Sequence, residues 1–175
     1  MSDTPPDDLD TTAPEAHLAD LGPKFLAALE ARAAGRVDAA LDGLLAVLRA
    51  EPRLAEPRME IGRIYLEMGR LAEAEEEARE AIRILEAGGG WTEDVPEHIV
   101  LALAWALLGE VLKELAASDE VVFGDDPARF AELVAQSRAA FARAHEIDPS
   151  DTASLLNAKE LEQDEEPEAA PEELN

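Results

Sequence analysis

Two glycines, Gly35 and Gly69, interrupt helical hydrophobic patterning 34 residues apart, and the alanines that follow them, Ala40 and Ala74, are separated by the same interval. A break that recurs at a fixed period much shorter than a domain commits the chain to stacked copies of one supersecondary unit. The unit is helical. Phe25, Leu26, Leu29 and Arg32 share a face at helical spacing, as do Ala40, Leu41, Leu44, Leu45 and Leu48. So do Ile61, Ile64, Tyr65 and Met68, and then Ala74, Ala78, Ala81, Ile82 and Leu85. No run alternates in the manner of a strand. Pro52 and Pro149 each follow an apolar helical run, at places where a helix stops.

At 175 residues, 47% of them hydrophobic, the chain has the material for one domain with a real core. It contains no cysteine, which excludes a disulfide framework, a thiolate zinc site and a cysteine nucleophile. Residues 1–20 lack the basic start and apolar run of a signal peptide, and no uninterrupted apolar segment approaches the roughly 20 residues that span a bilayer, so a soluble, cytoplasmic protein is expected. The formal charge is -25. Residues 1–20 hold six acids and residues 160–175 hold eight, neither with a Lys or Arg, so residues 21–159 still carry -11. Such a surface repels phosphate backbones and anionic membranes, and it steers a basic partner inward; solubility is the plainer account of it, and the acidity also suits a salty cytoplasm.

The second unit reads Ile61-Gly62-x2-Tyr65, then Gly69, then Ala74-x3-Ala78 and Ala81, with Glu86 in a closing place that Pro52 and Pro149 fill elsewhere. A third opens Trp105-x2-Leu108-Gly109-x2-Leu112 and closes Phe141-x2-Ala144-x4-Pro149. The first opens weakly, with Ala28 and Ala31 where the second has Gly62 and Tyr65, and closes with Gly35, Ala40-x3-Leu44 and Pro52. This set resembles the tetratricopeptide repeat (TPR), a 34-residue helix-turn-helix with the pattern W-x2-L-G-x2-Y, A-x3-F, P. The physical reason for the residues stands apart from the family. Paired helices approach closely only where a facing position is Gly or Ala, and Tyr65, Trp105 and Phe141 then fill the space between pairs.

The expected fold is all-α: antiparallel helix-turn-helix repeats stacked as a short right-handed α-solenoid, TPR-like, with a C-terminal capping helix. Residues 1–19 form a disordered acidic arm, 20–163 the domain and 164–175 a disordered acidic tail, since neither end buries enough apolar surface to offset ordering. Within the domain the repeats span about 21–54, 55–88 and 97–149. A cap over 150–163 offers Leu155, Leu156 and Leu161 as a covering face. The chain departs from the period twice. Gly62 and Gly109 are 47 residues apart, with the excess around residues 86–98, and Gly109 to Phe141 spans 32 where Gly62 to Ala78 spans 16. The second excess should lengthen both helices of the third repeat and add a loop over Ser118–Arg129.

No catalytic constellation is legible. Gly88-Gly89-Gly90 follows no strand, precedes no Gly-Lys-Ser/Thr, and is flanked by Glu93 and Asp94, which repel phosphate. His17, His98 and His145 are scattered, and Asp94, Glu97 and His98 fit a helix start near Pro96 better than a metal site. Glu75, Glu76 and Glu77 point in different directions round a helix. The chain is therefore expected to be no enzyme, with no cofactor and no metal.

The resemblance implies a concave groove lined by the first helix of each repeat and holding a peptide or partner helix. Transferred by register, its faces are Phe25, Leu29 and Arg32; Met59, Arg63 and Leu66; and Leu103, Ala106, Glu110 and Lys113. This is a mostly apolar groove suited to an amphipathic helix or apolar extended segment, unless these residues pack under the insertions or the N-terminal arm. Repeats that grip acidic chaperone C-termini use Lys, Arg and Asn on these faces, whereas the matching places here hold Phe25, Leu29, Glu60, Leu103 and Leu107. Trp91, Val121, Val122 and Phe123 on the insertions are secondary contacts, with Trp91 either a partner anchor or a pin against the next helix. The expected function is a protein-protein interaction scaffold or adaptor. Its partner is another protein, possibly basic, and neither nucleic acid nor membrane. Alternatives are a dedicated chaperone, similar to the three-repeat chaperones of type III secretion translocators apart from the two insertions, and a self-assembly module forming a homo-oligomer.

Overall fold

A computed structural model describes the backbone of residues 13–90 and 95–165, and within them the side chains of 20–90 and 95–162. The described residues form eight helices and no strand: α1 Ala13–Ala33, α2 Val37–Ala50, α3 Ala55–Glu67, α4 Leu71–Glu86, α5 Glu97–Ala117, α6 Asp119–Val122, α7 Pro127–Ile147 and α8 Thr152–Glu165. Three pairs, α1 with α2, α3 with α4 and α5 with α7, pack side by side in chain order. Helix α8 covers α7. Helix α1 begins inside the segment expected to be disordered, with Pro14 in its first turn, where the missing N–H costs nothing.

The periodic glycines turn the chain in one way. Gly35 and Gly69 have φ of +73° and +71°, a left-handed conformation that side chains disfavour. In each turn the glycine N–H returns to the carbonyl three residues back, Arg32 or Leu66, and the next N–H returns five back, to Ala31 or Tyr65. This doubly bonded C-terminal motif satisfies carbonyls that the helix leaves open. Gly88 repeats it after α4.

Small residues set how close the pairs come. A Cβ on Gly62 would lie 3.3 Å from Leu107 and 3.5 Å from the Cβ of Glu77, so α3 touches both its own partner helix and α5 there. The first pair exchanges the roles: Ala28 stands in the Gly62 place and faces Gly43, in the Glu77 place, where an added Cβ would come within 2.9 Å. Gly109 on α5 lies under Phe141 of α7, three ring carbons of which would be 2.9 Å from a Cβ. The buried Ser137 hydroxyl donates to the Gly109 carbonyl at 2.7 Å. Two clusters form the core, one around Leu21, Leu44 and Ile61 and one around Leu85, Leu108 and Phe141, and Tyr65 packs against both.

The third pair is longer than the others, with 21 residues in each of α5 and α7. Its added turns bury Val111, Leu112, Ala116, Leu133 and Val134. The loop is shorter than expected, 118–126, because Asp126 caps α7 by accepting from the Ala128 N–H and Pro127 sits at the first helical position. No described helix is long and apolar enough to cross a membrane.

The Gly109 contact yields a measurable expectation. Gly109→Ala gains about 1 kcal/mol of helix propensity but overpacks Phe141 at a cost of roughly 1–3 kcal/mol. Urea unfolding should show a net loss, and Phe141→Leu should cost less in that background than in the wild-type chain.

Candidate partner-binding groove

The first helices of the pairs and α8 are linked along one face by charge. The Arg32 guanidinium, on α1, bonds Glu60 and Glu67 of α3. Burial pulls the Arg32 pKa down, but the Glu67 hydrogen bond and the charges of Glu60 and Glu67 outweigh it, leaving the group above its ordinary value. Glu60 also accepts from Arg63 at 2.6 Å, so one half-buried carboxylate serves two guanidinium groups. On the far side Lys113 of α5 donates to Glu160 at 2.9 Å and to Asn157 at 3.2 Å, both on α8.

Glu110 lies between these groups. Its surface is open to solvent, yet desolvation by the surrounding protein pushes its carboxyl above the ordinary range. Arg63 pulls it back and Asp151, just before α8, pushes it further up. Among the described residues Glu110 forms no ion pair of its own.

The face is more charged than the transferred register implied. Met59 is corrected: it is 3% exposed and belongs to the core. On α3, residues 55, 59, 62 and 66 form the stripe that faces the neighbouring helices, while Glu60, Arg63 and Glu67 form the open one, turned about 100° away. Leu66 shares the inner stripe and is half-buried against the core. Leu107, at one of the places that hold Lys, Arg or Asn in repeats gripping acidic chaperone C-termini, is 1% exposed. Phe25 is half-buried against the first cluster, and Leu29 and Arg32 are half-buried beside it. On α5, Leu103 is 44% exposed, Glu110 is open, and Ala106 and Lys113 are half-buried. The mostly apolar groove is thus corrected to an ion-paired one with Leu103 as its exposed large apolar side chain. Glu60, noted on these faces only as a departure from the acidic-peptide pattern, lines the face with Glu67, which the transfer missed; their i, i+7 spacing around Arg63 was the available signal.

The secondary contacts divide. Trp91 lies outside the described residues. Val121 packs half-buried against the core beneath the loop, where Leu115, Leu133 and Arg129 line a hollow of about 290 Å³ with it. Val122 and Phe123 are exposed, Phe123 at 80%. No group of three or more His, Asp or Glu among the described residues is placed to hold a metal ion.

No protein-family model matches the sequence, and no curated protein matches it. Solved structures do. The first TPR of Spaghetti (RPAP3), bound to HSP90 peptide SRMEEVD, matches with a TM-score of 0.62 over 82% of this chain and 91% of that one, at 12% identity. The chain has the tetratricopeptide-repeat fold. Its three TPR helix pairs place α1, α3 and α5 as the first helices, and the charged face runs across them.

Glu110 makes the TPR face testable by pH. The charged groups around it are Arg63 on α3, Asp151 at the start of α8, and Lys113 and Glu114 on its own helix. Because its folded pKa is raised, its contribution to stability is complete below the unfolded value, about 4.3, and is lost as pH rises through the folded pKa. Glu110→Gln should therefore raise the melting temperature at pH 7, with the gain vanishing below about pH 4.

Proposed function

We propose that this chain is a non-catalytic scaffold that holds a segment of a partner protein across α1, α3, α5 and α8. The observation that carries the reading is the convergence of Arg32, Glu60, Arg63, Glu110 and Lys113 from three separate helices onto one open face. The core does not need them: its closure is accounted for by the apolar clusters and the small-residue contacts. A polar surface ordered across helices is suited to recognition, since its side chains are positioned before a ligand arrives and lose little freedom on binding. The RPAP3 TPR, with a peptide bound, supports the same use of the fold.

The acidic peptide of that neighbour is not the ligand expected here. The groove cations Arg32, Arg63 and Lys113 are already engaged by carboxylates, so a carboxylate-rich segment would have to displace Glu60, Glu67 or Glu160 to reach them. The net charge of -25 separately repels the phosphate backbone of nucleic acid.

A photo-crosslinking residue in place of Leu103 tests the proposal. It should trap a discrete protein from the native lysate, while the same residue at exposed Leu45 on α2 should not. Trapping at Leu45 alone, or at neither position, contradicts the groove reading.

A further inference from the structure

We infer that the segment held in the groove is basic, placing a Lys or Arg side chain on Glu110 and an apolar side chain on Leu103. The inference rests on the groove reading above and adds the chemistry of the occupant.

The cations of the face are already spoken for. Arg32 serves Glu60 and Glu67, Arg63 serves Glu60, and Lys113 turns to Glu160 and Asn157. Lys113 is one turn from Glu110 and in reach of neutralising it, yet its ammonium is bonded to α8. Each of these three cations has a carboxylate, whereas Glu110 has no ion pair among the described residues. A ligand carboxylate entering here meets satisfied cations and an unsatisfied anion. A ligand cation meets the reverse, and it can complete the ion pair that the fold leaves open.

The surroundings of Glu110 strengthen the bias. The desolvation that raises its carboxyl disfavours the charged form and Asp151 adds to that, while the charge of Arg63, bonded to Glu60, offsets them only in part. A group kept ionisable at a cost to the fold is a mark of a binding position. The rest of the protein points the same way at longer range, since a charge of -25 draws cations toward any hollow on the surface.

Leu103 supplies the second contact. It lies seven residues before Glu110, two turns along the same face of α5 and roughly 10 Å away along the axis. It is exposed at 44% with no core partner required of it. In a polyproline-II segment, whose side chains return to one face every three residues at about 3.1 Å per residue, that distance corresponds to about three residues. The favoured ligand therefore has an apolar side chain and a Lys or Arg about three positions apart.

A display library of random 12-residue peptides, panned on the full chain, tests this. Selected peptides should be enriched in Lys and Arg with an apolar residue nearby. Their binding should weaken at least tenfold with Glu110→Gln and be lost with Glu110→Lys and with Leu103→Glu, while circular dichroism shows each variant folded. Glu110→Gln removes the carboxylate without adding bulk, so a loss in that variant reports on the charge. Selection of acidic or charge-neutral peptides that Leu103→Glu still abolishes would leave the groove standing and overturn the basic ligand. Basic peptides indifferent to Glu110→Gln but lost with Leu103→Glu would overturn the role of Glu110 alone. Basic peptides indifferent to every groove variant, or no enrichment over bare support, would overturn both readings.

Discussion

The structure depends on how near its helices come at a few positions that carry almost no side chain. Gly109 lies directly beneath the Phe141 ring, Gly62 meets both Leu107 and Glu77, and Gly43 meets Ala28. At each place a single methyl group would force a neighbour to move, and tightly packed interiors yield only at a cost. These contacts fix the separation of the helices within and between pairs. The first helices are then held in a common register, and their outward stripes join into one face instead of three unrelated ones.

That register brings local charges together on one face. Arg32 and Glu60 are 28 residues apart in sequence, Arg32 and Glu67 are 35 apart, and Lys113 and Glu160 are 47 apart. Each pair forms only because helices from different repeats lie side by side. Partly screened pairs of this kind add little to stability one by one, but a network sharing Glu60 orients its members against one another. Its polarity matters more than its strength. With the cations engaged and Glu110 left over, the face has a sign, and that sign is opposite to the one that an acidic peptide requires.

Much of the architecture was legible because its signals are local and periodic. A left-handed turn needs Gly, and Gly35 and Gly69 announced two turns of identical geometry. The first repeat was harder, because Ala28 replaces the expected glycine; the same 34-residue interval leads from Glu77 back to Gly43, where the missing space was moved to the facing helix. The groove was less legible. Met59 and Glu60 are neighbours in sequence but about 100° apart on a helix, so one step of register separates a core methionine from a groove carboxylate. Apolar spacing on α3 could not decide between those faces, since Ile61, Ile64 and Tyr65 already give it more than one apolar side. The engagement of Arg32 and Lys113 was out of reach altogether, because it is a property of the stacked pairs.

Backbone amide chemical-shift mapping of the full chain bound to a basic peptide tests the central claim most directly. The account predicts that the perturbed amides fall on α1, α3, α5 and the start of α8, centred on Arg32, Arg63, Glu110 and Lys113. Perturbations concentrated on α2 and α4, or on residues 118–126, would contradict it.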